Sequence, residues 1–177
     1  MFGKIMCCFD GSPLAEEIIP YATETCTRFS GELIFASVIT TQITIPSPQS
    51  IHFSYIGSLG GPEPIPVSDI SENSRREPGV GLQLKEIELE QDQTRRYMEK
   101  LANPLRAEGL KVTTAILQGD PGEAIVTYSR DNNVSLIALT SHGKGGYRRG
   151  VYGSIAQFIL REAEIPVLLV KPHRIVR

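Results

Sequence analysis

From Val134 to Lys171 the chain reads VSLIALTSHGKGGYRRGVYGSIAQFILREAEIPVLLVK: an apolar strand, a glycine-rich basic loop, an amphipathic helix and a second apolar strand. Val134 to Leu139 is apolar and β-branched enough to be buried, and it runs straight into Thr140, Ser141, His142 and Gly143. The loop that follows carries Gly143, Gly145, Gly146, Gly150 and Gly153 with Lys144, Arg148 and Arg149, and no acidic residue. Glycines let backbone N–H groups approach a ligand, and unopposed cations favour an anion, so the pattern suits a polyphosphate. Each cation taken alone is equally well a solvated side chain, and Tyr147 and Tyr152 can simply pack the loop. Helical spacing resumes at Gly153 and Ser154, where the Ser is a candidate cap, with Ile155, Phe158, Ile159 and Ala163 as the apolar face. The positive end of that helix points at whatever the loop holds. Pro166 ends the connection, and Val167 to Val170 reads as a short buried strand.

The N-terminal part repeats the plan. Lys4 to Phe9 reads as a strand ending at Asp10, Gly11 and Ser12. Pro13 opens a helix with Ala15, Ile18, Ile19, Ala22, Cys26 and Phe29 in helical rhythm, kinked at Pro20 and closed by Gly31. Glu32 to Ile39 is the second strand, which makes a βαβ unit with a right-handed parallel crossover. Ligands of open parallel sheets bind beyond the carboxyl ends of the strands, where Asp10 stands; Asp before Gly-Ser is also a common turn and cap residue.

Between Thr40 and Gly81 lie six prolines, a Gly60-Gly61 pair and no periodicity. An insertion of this length is a lid, a partner-binding segment or a mobile surface loop. Leu82 to about Ala107 reads as a long helix with the stripe Leu84, Ile87, Gln91, Thr94, Met98, Leu101 and Leu105, kinked at Pro104 and stopped by Gly109. Val112 to Leu117 alternates as a strand, and the turn Gln118 to Pro121 leads into a short helix over Glu123 to Arg130.

The loop motif resembles the nucleotide-binding signature of the universal stress proteins: Gly, two residues, Gly, nine residues, Gly, then Ser or Thr. Gly143, nine residues, Gly153 and Ser154 match it, and Arg149 and the PVLLVKP segment stand in register. Thr140 occupies the first glycine position, and Cys8 the place where many nucleotide-binding members carry Pro. The resemblance covers the chain outside the insertion. It implies one flavodoxin-like, Rossmann-like α/β domain over residues 1–177 with a five-stranded parallel sheet in the order 3-2-1-4-5, and the 40–81 insertion after strand 2. It also implies that ATP or another adenine nucleotide, with or without Mg²⁺, is held by Asp10, Val38, Thr140, His142, Gly143, Arg149, Gly153, Ser154 and Ile155. A homodimer through the last strand, Val167 to Val170, is a further implication.

Composition excludes several classes. The 177 residues are a one-domain length, with 41% hydrophobic and 21% charged residues, as in ordinary soluble proteins. A net charge of -2 leaves no electrostatic footprint for nucleic acid or an anionic membrane. No apolar run reaches transmembrane length and no signal peptide opens the chain, so the expected location is cytoplasmic. Cys7, Cys8 and Cys26 lack a zinc spacing, and adjacent strand residues Cys7 and Cys8 point to opposite faces as buried thiols. His142 tempts one toward general-base catalysis, but no substrate proton or orienting partner is identified, and a loop histidine bonding backbone explains it. His52 lies in the insertion and His173 in the tail, so a three-histidine metal site has no support. The P-loop, the dinucleotide fingerprint after the first strand and the nucleophile elbow are all missing from the sequence. Three functions remain: an ATP-binding regulatory protein, a nucleotide-free dimeric interaction protein that uses the insertion and dimer surface, and an enzyme that hydrolyses the nucleotide, for which no base is identified.

Overall fold

The structure, a computed structural model, describes residues 2–40, 80–142 and 152–172. The glycine-rich loop from Gly143 to Val151, with Arg149, and nearly all of the insertion lie outside the described residues. Element order is β1 (Lys4–Phe9), α1 (Pro13–Glu16), α2 (Ile19–Phe29), β2 (Glu32–Ile39), α3 (Val80–Ala107), β3 (Val112–Gln118), α4 (Pro121–Asp131), β4 (Leu136–Thr140), α5 (Ser154–Glu162) and β5 (Val167–Val170). The chain divides into two compact units, Met1–Thr40 with Gln93–Arg177, and Thr41–Asp92. The described part of the smaller unit is the start of α3, where Ile87 is buried and Leu89 exposed.

The larger unit is built on five parallel strands in the order β3-β2-β1-β4-β5. Period-two alternation sorts their side chains to two faces. Ile5, Cys7, Phe9, Leu33 and Phe35 pack against α1, α2 and the Gln93–Ala107 part of α3 through Ala15, Ile18, Ala22, Met98, Ala102 and Leu105. Met6, Ile34, Ala36, Ile137 and Leu139 pack against α4 and α5 through Ile125, Ala156 and Ile159. Cys7 and Cys8 do face opposite ways, one in each core.

Several local expectations are corrected. The helix expected to kink at Pro20 is two helices, because Pro20 lacks the N–H that would bond the Glu16 carbonyl and its ring crowds that carbonyl. Pro20 sits instead in the first turn of α2, where no such bond is needed. The left-handed residue that ends α2 is Ser30, with φ of 51°, rather than Gly31. Gly31 answers a different demand: a Cβ there would stand 2.6 Å from the Phe2 carbonyl oxygen, where the N-terminal segment crosses. In α5 the N-cap is Gly153 and Ser154 is the first helical residue. Its buried stripe is Ala156 and Ile159, with Ile155 exposed, because steps of three on a 3.6-residue turn put Ile155 at the border of the stripe. β5 is only half-buried over Val167, Leu168 and Leu169, as befits the edge of the sheet. β4 begins at Leu136, since the Val134 amide instead closes the end of α4 by bonding the Ser129 carbonyl at 2.9 Å.

Candidate functional site

Strand order reverses between β1 and β4: the chain runs outward from β1 through β2 to β3, then returns to the other side of β1 for β4 and β5. The crevice beyond the carboxyl ends of these two strands is where an open parallel sheet presents its loops to a ligand.

On the β1 side, Asp10 forms a compact turn. Its Oδ1 accepts hydrogen bonds from the Ser12 amide at 2.9 Å and the Ser12 hydroxyl at 2.6 Å. Gly11 makes the turn possible with φ of +77°, a conformation that costs a side-chain-bearing residue strain. Ser12 Oγ also accepts from the Ala15 amide at 3.2 Å, so one buried hydroxyl both caps α1 and holds the carboxylate. From α3, the Tyr97 hydroxyl donates to Glu16 Oε1 at 3.1 Å, and its ring meets Phe9 edge-on with centroids 6.5 Å apart. Burial, followed by the Glu16 and Asp10 carboxylates, raises the Tyr97 pKa well above the phenol range, which keeps it a donor.

On the β4 side, Thr140, Ser141 and His142 are all buried. Thr140 is an ordinary strand residue: positive φ among the described non-glycine residues is confined to Ser30 and Asn133. Its hydroxyl donates to the His142 carbonyl at 2.8 Å. The Ser141 amide bonds the Val170 carbonyl at 2.8 Å, while the Ser141 carbonyl accepts from the Gly153 amide at 2.9 Å. The two ends of the loop are thereby tied together directly under the start of α5. Ser141 Oγ lies 3.0 Å from His142 Nδ1, so this histidine is held within the chain. Gly153 has φ of -59° and ψ of 151°, open to any residue, but a Cβ there would stand 3.3 Å from the Ser141 oxygen. Gly153 gives α5 no side-chain cap, and exposed Ser154 and Ile155 open the helix.

Asp10, Thr140, His142, Gly153, Ser154 and Ile155 therefore belong to the same carboxyl-end edge of the sheet, beside the β1–β4 boundary. Val38, near the end of neighbouring β2, is half-buried on the α4–α5 face, as is Cys8. Gly143 and Arg149 lie outside the described residues. Sequence reasoning missed Ser12, Ser141 and Tyr97; the Asp-Gly-Ser turn signalled the first, while the other two bond across the fold and leave no local pattern. A groove of about 530 Å³ between α4 and α5, lined by Val126, Arg130, Phe158 and Ile165 among others, contains none of the site residues. Among the described residues no three His, Cys, Asp or Glu side chains converge as a metal site, and no helix is long and apolar enough to cross a membrane.

The model of the universal stress protein family matches residues 65–171, more than half of the chain. The chain belongs to the universal stress protein family. Universal stress protein MJ0577 of Methanocaldococcus jannaschii is 32% identical over 80 residues, 45% of this chain and 49% of that relative, so the aligned stretch spans about half of the relative's length. The solved structure of MJ0577 shares the fold along the chain, with a TM-score of 0.71 at 22% identity over 98% of this chain and 99% of the other. Two further solved universal stress proteins share the fold more distantly. One, from Arabidopsis thaliana with AMP bound, has a TM-score of 0.56 at 15% identity over 97% and 92% of the two chains. The other, in complex with cAMP, has a TM-score of 0.53 at 13% identity over 97% and 98%.

Proposed function

We propose that this universal stress protein is a regulatory protein of the stress response that binds an adenine nucleotide, ATP in the first instance, in the crevice beyond β1 and β4. In this reading Asp10 and Val38 take the nucleoside, while Gly143, Arg149, Gly153, Ser154 and Ile155 take the phosphates. The observation that carries it is the start of α5, whose first turn receives no side-chain cap from Gly153 and opens at the same sheet edge as the fixed Asp10 turn. Uncapped amides and the positive end of the helix dipole suit a phosphate. The AMP and cAMP bound by two family members of the same fold add support. Thr140 is compatible with the reading, because its hydroxyl is satisfied by the His142 carbonyl and its backbone needs no left-handed conformation. Mg²⁺ would enter on the nucleotide's own phosphates, since the described residues offer it no cluster of ligands.

The test is calorimetric titration of ATP, with and without Mg²⁺, into protein stripped of small molecules, paired with mass spectrometry of what denaturation releases. Saturable binding that is lost in Gly153→Val, where the added side chain meets the Ser141 oxygen, is the expected result. No released nucleotide and no heat at millimolar ATP would reject the reading. That outcome would favour a nucleotide-free dimeric interaction protein acting through the insertion and the dimer surface, the reading that Thr140 and Cys8 support.

A further inference from the structure

We propose that Tyr97 is a positioning residue for the nucleoside end of the site, acting through Glu16 and α1 to fix the Asp10 carboxylate. The inference rests on the nucleotide reading of the crevice. α1 is a single turn of four residues, too short to hold its shape alone, and it is cut off from α2 at Glu17 and Ile18. Side-chain bonds restrain it at both ends. At its start, Ser12 Oγ accepts from the Ala15 amide and donates to Asp10 Oδ1. At its end, Glu16 accepts from the Tyr97 hydroxyl on α3, 81 residues away in sequence. The Phe9–Tyr97 ring contact seats the phenol at the carboxyl end of β1, so the brace reaches the strand from which Asp10 emerges. Tyr97, Glu16, Ala15, Ser12 and Asp10 thus form one chain of contacts from a long helix to the candidate ligand carboxylate, with Glu16 and Ala15 joined by the backbone and the other three links hydrogen-bonded. Removing the phenol oxygen releases one end of α1 while leaving the ring on Phe9.

The experiment measures Tyr97→Phe, Glu16→Ala and Glu16→Gln in the full chain by amide hydrogen exchange at Ser12 and Ala15, and by titration with adenosine and, separately, inorganic tripolyphosphate. Tyr97→Phe and Glu16→Ala should each speed exchange at both amides and weaken adenosine roughly three- to tenfold, the range for one lost hydrogen bond. Tripolyphosphate affinity should stay within about twofold, because α5 and its loop are untouched. Glu16→Gln retains an oxygen acceptor and should hold adenosine close to wild type. A merely stabilising hydroxyl would leave adenosine unchanged or weaken both ligands together, and either result overturns the proposal. Unchanged exchange at Ser12 and Ala15 in Tyr97→Phe refutes the brace itself. A wild-type chain that binds neither ligand refutes the nucleotide reading, and with it the role assigned to Tyr97, even where exchange shows the brace to be present.

Discussion

Thr140 shows how a single side chain changes the demands of a motif. A glycine at that place lets backbone approach a ligand; the threonine instead stays in β4 and turns its hydroxyl onto the His142 carbonyl. Thr140→Val keeps the shape and removes the donor, so the buried bond to that carbonyl is lost. The expected loss is about 0.5–1.5 kcal/mol of stability, seen in urea melts as a lower midpoint with the slope unchanged. The thiols give a second residue-level prediction. Burial pushes Cys8 up to about 12, and Cys7 and Cys26 are raised by burial too. Thiolate is the reactive form, so native protein at pH 8 should label with a thiol reagent only as fast as it opens, and denaturation should expose three groups at once. The opposite facing of Cys7 and Cys8 was legible from strand alternation alone. The bond between Ser141 and His142 was not, because tautomer and rotamer follow from packing that no local pattern encodes.

Elements were legible wherever periodicity was long and punctuated. The five strands and the α3 stripe through Met98 and Leu105 follow directly from apolar spacing. Boundaries were set by partners instead: Pro20 divides a continuous helical pattern because of the Glu16 carbonyl behind it, and the α5 stripe falls on Ala156 rather than Ile155 because the sheet lies on that side. One side-chain cluster pins α3 to β3. Glu99 takes hydrogen bonds from Arg106 and, at 2.9 Å, from the Thr114 hydroxyl, while Arg106 Nε donates to the Val112 carbonyl at 2.8 Å. The Arg106 hydrogen bond, followed by that of Thr114, holds the Glu99 carboxyl below its ordinary value of about 4.5. A lowered carboxylate pKa contributes stability that is fully present above the unfolded value and is lost as pH falls through the folded one. The Tm difference between wild type and Glu99→Gln should therefore be constant from neutral pH down to about 5, then shrink below 4.5. A difference that persists unchanged to pH 2 would mean the carboxylate charge plays no part.

At the scale of the whole molecule β5 is an edge of the sheet, and among the described residues no strand pairs with its outer side. Backbone direction there can be read from its pairing with β4: the carbonyls of Pro166 and Val170 accept from Ile137 and Ser141. Within a strand the N–H and C=O of one residue point the same way and alternate along the chain, so Val167 and Leu169 direct theirs outward. A half-buried apolar edge with outward amides is a template for another strand, and self-pairing of two copies is the symmetric solution. The homodimer that the family resemblance implies would use that edge, and its test separates backbone from side chain. Leu169→Pro removes one outward amide together with the leucine side chain, which packs on the α4–α5 face; Leu169→Ala removes the side chain but keeps the amide. In analytical ultracentrifugation the wild type and Leu169→Ala should sediment at twice the chain mass and Leu169→Pro at the chain mass. A wild type that is monomeric at micromolar concentration, or a Leu169→Pro variant that remains dimeric while folded, would move the interface elsewhere. Because β5 also supplies the Val170 carbonyl that fixes Ser141, the edge and the crevice share one strand. Loss of the dimer should therefore weaken adenosine and tripolyphosphate together, unlike Tyr97→Phe, which should act on adenosine alone.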